Sequence, residues 1–74
     1  MQDQMVKPKA GLRGLRESRG LTLEAIGYLA DVDGATVSRI ERGLVQPERT
    51  TVVKLARALG LSVGRLVTLL AETS

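Results

Sequence analysis

The sequence predicts an all-α fold of five short helices in one small domain. Apolar residues recur three and four positions apart in five successive segments, and this spacing places them on one face of a helix. Gly20, Gly43 and Gly60 follow three of the segments, at places where a left-handed residue ends a helix. No segment alternates apolar and polar residues with the period of two that a strand requires. With 74 residues, 43% of them hydrophobic, the chain has room for a single core over residues 9–71, after a flexible polar tail at residues 1–8.

The first predicted helix runs from Lys9 towards the stop at Gly20. Its apolar face carries Leu12 and Leu15, which lie three positions apart. Leu21 follows the stop, and its side chain can fold back onto the last turn as the apolar partner of a Schellman ending.

Two helices joined by a very tight turn come next. The second helix is predicted at Leu23–Ala30 and the third at Gly34–Arg42. Thr22 and Asp33 precede them, and both residue types cap the free amides of a helix N-terminus. The residues predicted to face inward lie three or four positions apart: Ile26, Ala30, Val37 and Ile40.

The last two predicted helices complete the core. The fourth opens at Arg49 or Thr50 and ends at Leu59, and the fifth spans Val63–Ala71 after a cap at Ser62. Their predicted buried residues are Val52, Leu55, Ala56, Leu59, Leu66 and Leu70.

Missing residue types exclude most enzymes. The chain has no cysteine, so it has no disulfide, no thiolate nucleophile and no cysteine-based metal site. It has no histidine, the commonest general base and transition-metal ligand. Tyr28 is the one aromatic residue, and one ring cannot build the stacked platforms that bind single-stranded nucleic acids. We therefore expect no enzymatic activity, no metal and no cofactor.

The charge is modestly positive. The formal charge is +3 at pH 7, and eight of the eleven basic residues are arginine, whose planar fork suits phosphate and guanine. This balance permits a polyanionic partner, although an ordinary basic surface explains the charge equally well. No apolar run approaches the roughly 18 residues of a membrane span, and there is no signal-peptide pattern. We expect a cytoplasmic protein without a membrane partner.

The tight helix pair between Thr22 and Gly43 requires particular residues at particular places. A large side chain where the two helices cross would push them apart, and Gly27 lies at that point. The turn needs a residue that tolerates positive φ, and Asp31 is acceptable there. Val32 must then enter the core beneath the turn. The sequence meets all of these requirements together.

These residues resemble the Cro/repressor-type (XRE-like) helix-turn-helix proteins of bacteria and phages. The resemblance extends from about Leu12 to Leu70 and includes TLEAIGYLADVDGATVSRIERG at residues 22–43 and KLARALGLS at residues 54–62. It implies a five-helix, lambda-repressor-like DNA-binding domain. Proteins of this family lay the third helix, here residues 34–42, in the major groove and usually bind as dimers on two half-sites.

The resemblance also implies which side chains read the bases. Arg39 is the strongest candidate, because guanine offers two acceptors to a guanidinium in the major groove. Gly34 and Ala35 provide only close backbone approach and a methyl contact, so DNA shape is expected to supply part of the specificity. The full set of implied base-contacting residues is Gly34, Ala35, Thr36, Ser38 and Arg39.

Further contacts follow from the same resemblance. Leu23 stands where the family commonly has a glutamine, which leaves only its backbone amide for a phosphate. The ion pair of Arg16 with Glu41 is expected to link the first helix to the recognition helix and fix its angle. The implied phosphate contacts are Leu23, Arg42, Gln46 and Arg49. The implied dimer contacts are Leu61, Val63 and Gly64.

Several apolar residues fall outside the predicted core, where most would be half-buried or harmless. They are Tyr28, Leu29, Leu44, Val45, Val63 and Val67. The main hypothesis is a sequence-specific regulator that binds double-stranded DNA and acts as a repressor. The alternative is an antitoxin or protein-interaction module with a partly degenerate helix-turn-helix, whose partner is a toxin or regulator protein. Leu23, Gly34 and Ala35 favour that alternative, as do exposed Tyr28 and Leu29.

Overall fold

The structure, a computed structural model, describes residues 11–72, and the all-α prediction is confirmed. No strand occurs in this range. The predicted tail at residues 1–8 and the helix start at Lys9 lie outside the described residues. The five helices are α1 (Gly11–Ser18), α2 (Leu23–Ala30), α3 (Gly34–Glu41), α4 (Arg49–Leu59) and α5 (Val63–Ala71).

Side-chain caps begin three of the helices, as the sequence predicts. The Thr22 hydroxyl accepts a hydrogen bond from the amide three residues on, at 2.9 Å, and the Ser62 hydroxyl accepts the equivalent bond at 3.0 Å. The Asp33 carboxylate accepts a longer bond, 3.4 Å, from the amide two residues on. Each cap satisfies one amide that the helix itself leaves unpaired.

Four helices end in the same Schellman turn. In each, a residue with positive φ follows the last turn, and the next amide bonds to the carbonyl five residues back at 2.8 to 3.1 Å. The third helix ends one residue earlier than predicted, because Arg42 has φ −90° and ψ 2° and serves as its C-cap. The four residues with positive φ in these turns are Gly20, Asp31, Gly43 and Gly60.

The core lies between the inward faces of all five helices. Leu15, Leu21, Val32 and Leu70, all predicted core residues, lie half-buried at its edge. The buried apolar residues are Leu12, Ile26, Ala30, Val37, Ile40, Val52, Leu55, Ala56, Leu59 and Leu66. Because these are small aliphatic side chains, the helices pack closely without any buried aromatic ring.

Helices α2 and α3 meet backbone to backbone at Gly27. A Cβ atom on Gly27 would lie 2.6 Å from the Val32 carbonyl oxygen and 3.2 Å from the Gly34 amide nitrogen. The requirement for glycine at the crossing is thus confirmed. A Cβ on Gly34 would in turn lie 3.3 Å from the Leu23 carbonyl oxygen. Two glycines therefore set how closely α3 lies beside α2.

Candidate nucleic-acid interface

The third helix is packed by one face and open on the other. Val37, Ile40 and Glu41 form its buried face. At 100° per residue, the opposite face carries Ala35 and Arg39, and both are exposed. Thr36 and Ser38 flank this face and are half-buried. The outer face of α3 thus presents one guanidinium among small side chains.

Gly34 lies differently from the other candidate base-contacting residues. It is half-buried, and a Cβ atom at this position would point towards the carbonyl of Leu23 in α2. The first turn of α3 consequently offers backbone rather than a side chain at this position. The side chains that remain available on the outer half of the helix are those of Ala35, Thr36, Ser38 and Arg39.

The candidate phosphate-binding groups lie around the ends of helices. Arg42 is the C-cap of α3, Arg49 opens α4, and Gln46 lies in the loop between them; all three are exposed. Leu23 is half-buried as the first residue of α2. The first amides of a helix have no acceptor within it, so the Leu23 amide can meet an external one.

A buried guanidinium joins three segments of the domain. The Arg16 Nε donates to Glu41 Oε2 at 2.6 Å, and Nη2 donates to Glu41 Oε1 at 3.1 Å. The Arg16 Nη1 donates to the Leu21 carbonyl at 2.7 Å, one residue before the Thr22 cap of α2. The hydrogen bonds that Arg16 donates to Glu41 raise the pKa of Arg16 above its ordinary value, against the lowering effect of burial. Arg16 therefore ties α1 to the start of α2 and the end of α3.

Some supporting contacts have no signal in the sequence. Lys54 on α4 donates to the carbonyl of Asp31 at 3.4 Å, and its Nζ lies 3.8 Å from the Asp31 carboxylate. Arg19 donates to the carbonyl of Leu59 at the end of α4. These partners are 23 and 40 residues apart in the chain, so no local spacing reveals them. The bond from Arg16 to the Leu21 carbonyl, five residues further along the chain, is not predicted from the sequence either.

The residues expected at a dimer contact lie at the start of α5. Leu61 is half-buried and packs against the core. Val63 is exposed, and nothing lies within 4 Å of the position that a Cβ on Gly64 would occupy. Val67, one turn further along the helix, is exposed as well. Val63 and Val67 therefore form an exposed apolar pair on α5.

The six apolar residues left outside the predicted core are all exposed in the structure. Tyr28, on the outer side of α2, is the most exposed of them at 87%, and Leu29 beside it is 56% exposed. An aromatic side chain this exposed gives little stability to the domain, because its surface remains in water.

Two helices joined by a three-residue turn, with the second helix open on its outer face, define a helix-turn-helix DNA-binding domain. The chain matches a family model described as a helix-turn-helix domain over residues 10–70, and it belongs to that family. DNA is accordingly the partner of this domain. Searches of the curated proteins and of the solved structures each gave no match. Within residues 11–72, no helix is long and apolar enough to cross a membrane.

Proposed function

We propose that the protein is a sequence-specific regulator of transcription of the Cro/repressor type, which represses by occupying an operator in double-stranded DNA. The observation that carries the proposal is the outer face of α3, where Arg39 is exposed on a helix fixed by a buried ion pair. The protein acts by binding and catalyses no reaction. This role places it in the cytoplasm with the DNA.

Base recognition is assigned to the outer face of α3 in the major groove. Arg39 donates two hydrogen bonds to guanine N7 and O6, and the methyl group of Ala35 contacts a thymine methyl. Thr36 and Ser38 supply hydroxyls at the flanks of the helix for bases or phosphates. Since Gly34 contributes only backbone, the sequence-dependent shape of the DNA adds to specificity.

Phosphate contacts hold the domain in register on the duplex. Arg42 and Arg49 neutralise phosphates at the end of α3 and the start of α4, and Gln46 adds a neutral hydrogen bond between them. The Leu23 amide meets a phosphate on the other side of the motif. Binding is therefore expected to weaken steeply as salt is raised, because each neutralised phosphate releases counterions.

The first test is selection of binding sites from random duplex DNA, followed by anisotropy titrations of the selected site. In Arg39→Ala, discrimination against the wrong base should fall by about 1–3 kcal/mol, or roughly 5- to 150-fold. In Arg42→Ala or Arg49→Ala, all sequences should bind more weakly, and the salt slope should fall by about 1.

Arg57→Ala is the matched control for these arginine variants. It removes the same charge from an exposed position in the last turn of α4, away from α3. It should leave base discrimination unchanged. Discrimination retained in Arg39→Ala, or lost equally in Arg57→Ala, contradicts the role assigned to Arg39.

We also propose that two copies bind the operator as a dimer through the start of α5. The exposed apolar surface of Val63 and the open position at Gly64 support this contact, with Leu61 at its edge. Analytical ultracentrifugation with and without operator DNA tests it. A monomer at every accessible concentration, and one protein per operator, would remove the dimer.

A second candidate function is an antitoxin or another protein-interaction module. The exposure of Tyr28 and Leu29 favours it, because neither side chain is used by the core. In that case the site selection yields no sequence preference, while the protein forms a stoichiometric complex with a toxin or regulator. Purification of the protein with the product of a neighbouring gene tests this role directly.

A further inference from the structure

A groove runs between the outer sides of α2 and α3. The wall from α2 and the turn carries Glu24, Tyr28 and Asp31, and Asp33 lies at the start of α3. Leu23 and Val32 add apolar surface to the lining. Tyr28 at the rim is 87% exposed, and the neighbouring Leu29 continues the apolar surface on the outside of α2.

Tyr28 is the only aromatic residue of the chain, and the core makes no use of its ring. Exposed tyrosines of this kind are enriched among the residues that dominate protein–protein binding energy, because they bury a large rigid area at small entropic cost. The pair Tyr28 and Leu29 therefore resembles an anchor for an apolar group of a partner.

The charge of the groove indicates which partner fits. Three carboxylates and no cationic side chain line it, although the whole chain carries +3. The Asp33 carboxylate caps α3, and the Asp31 carboxylate lies 3.8 Å from Lys54. Within residues 11–72, the Glu24 carboxylate has no ionic or hydrogen-bonding partner. One helical turn separates it from Tyr28, so a single cationic group can reach both.

We propose that this surface of Glu24, Tyr28, Leu29 and Asp31 docks a basic segment of another protein. An arginine or lysine of the segment lies over the Tyr28 ring and pairs with Glu24, while an apolar side chain packs on Leu29. Leu23, Gly34, Ala35 and Ser38, which are proposed to contact DNA, line the same groove, so a docked segment and DNA compete for it. The inference supplies the partner chemistry of the second candidate function and does not depend on DNA binding.

The test uses the protein without DNA and a short helical peptide of arginine, leucine and alanine as the probe. Tyrosine fluorescence reports on the groove directly, since Tyr28 is the only aromatic residue. The fluorescence should change and saturate, and amide shifts should concentrate in residues 23–35. The same peptide with glutamate in place of arginine should produce neither effect.

Variants distinguish specific binding at this surface from non-specific electrostatic attraction of the peptide to the protein. Calorimetry with Tyr28→Ala should show affinity reduced about tenfold or more, and Glu24→Gln should reduce it several-fold. Glu48→Gln is the matched control, because it removes the same charge from an exposed residue at the start of another helix. It should leave the affinity unchanged.

Three results would overturn the proposal. They are equal weakening in Glu24→Gln and Glu48→Gln, amide shifts spread over the whole surface, and equal binding of the acidic peptide. Unchanged melting temperatures of the variants confirm that they are folded. Because no DNA is present, failure here leaves the DNA-binding proposal intact, and failure of DNA binding leaves this one intact.

Discussion

The corner between α2 and α3 and the corner between α4 and α5 are built on the same turn. Each has three residues: one with positive φ, one half-buried apolar residue and one capping residue. The α2–α3 turn reads Asp31, Val32, Asp33, and the α4–α5 turn reads Gly60, Leu61, Ser62. The hydrogen bonds that close them agree as well, at 2.9 Å for the Val32 amide and 2.8 Å for the Leu61 amide.

The two corners differ in the residues that flank the turn. Four positions before it, α2 has Gly27 where α4 has Ala56, and the first residue after it is Gly34 in one and Val63 in the other. A Cβ on Gly27 would clash with backbone, whereas α4 accommodates the methyl group of Ala56 in the core. The turn alone therefore does not produce the motif. The glycine pair decides how closely the second helix approaches the first.

The largest expected effect comes from the buried ion pair of Arg16 and Glu41, which holds the α2–α3 corner. Among the described residues, the α4–α5 corner has no buried ion pair. In Glu41→Ala, the buried Arg16 guanidinium keeps its bond to Leu21 but loses two others. Removing one partner of a buried ion pair costs about 3–5 kcal/mol, which is most of the stability of a small domain. Urea denaturation followed by circular dichroism should find the variant largely unfolded. The exposed Glu48→Gln should change stability by less than about 0.5 kcal/mol.

The next largest effect breaks the close approach in the α2–α3 corner. In Gly27→Ala, the new methyl group would meet the Val32 carbonyl oxygen, a backbone atom that cannot rotate away. We expect a loss of about 3 kcal/mol in the free energy of unfolding, together with weaker DNA binding in the folded fraction. A loss below about 1 kcal/mol would show that the glycine is not what holds the two helices close.

Substitutions of the residue with positive φ in each turn, Asp31 and Gly60, test whether the two turns behave alike. Gly60→Ala places a Cβ on a backbone with φ 70° and should destabilise the domain by about 1 kcal/mol. Asp31→Gly relieves the same strain at φ 59° and should stabilise it by about 0.5 kcal/mol. Thermal melts of both variants measure the difference. Opposite signs of the two changes are the essential outcome, since both turns have the same geometry.

The smallest effect concerns a glycine that the isolated chain does not require. Gly64 lies within α5 with open space around it, so Gly64→Ala should add about 0.5–1 kcal/mol through helix propensity alone. Sedimentation of the same variant tests the proposed dimer. If the variant is more stable but its dimer dissociates at a higher protein concentration than wild type, Gly64 lies in the dimer contact. Unchanged association excludes Gly64 from the contact.

Much of the fold follows from short patterns. Thr22, Asp33 and Ser62 cap helices because a side-chain oxygen reaches an amide only two or three residues away. Glycine stops also work within one turn, which explains why they mark helix ends correctly. The end of α3 was misplaced by one residue at Arg42, because a tightened last turn depends on local geometry that spacing does not encode.

The candidate site could be predicted only in part. The exposure of Arg39 and the burial of Val37 follow from helical periodicity, and both are observed. The sequence predicts that Gly34 belongs to the reading face. In the structure, a Cβ at Gly34 would point towards the Leu23 carbonyl of α2, because α2 and α3 cross close to this residue.

The sequence by itself determined five helices, their caps, their stops and the composition of the core. The tertiary structure decided the long-range contacts that hold the motif in place: the bonds from Lys54 to the Asp31 carbonyl and from Arg19 to the Leu59 carbonyl. The reason is physical. Caps and stops act over a few residues of one chain segment, whereas a guanidinium or ammonium reaches a distant carbonyl only after packing has brought two helices together.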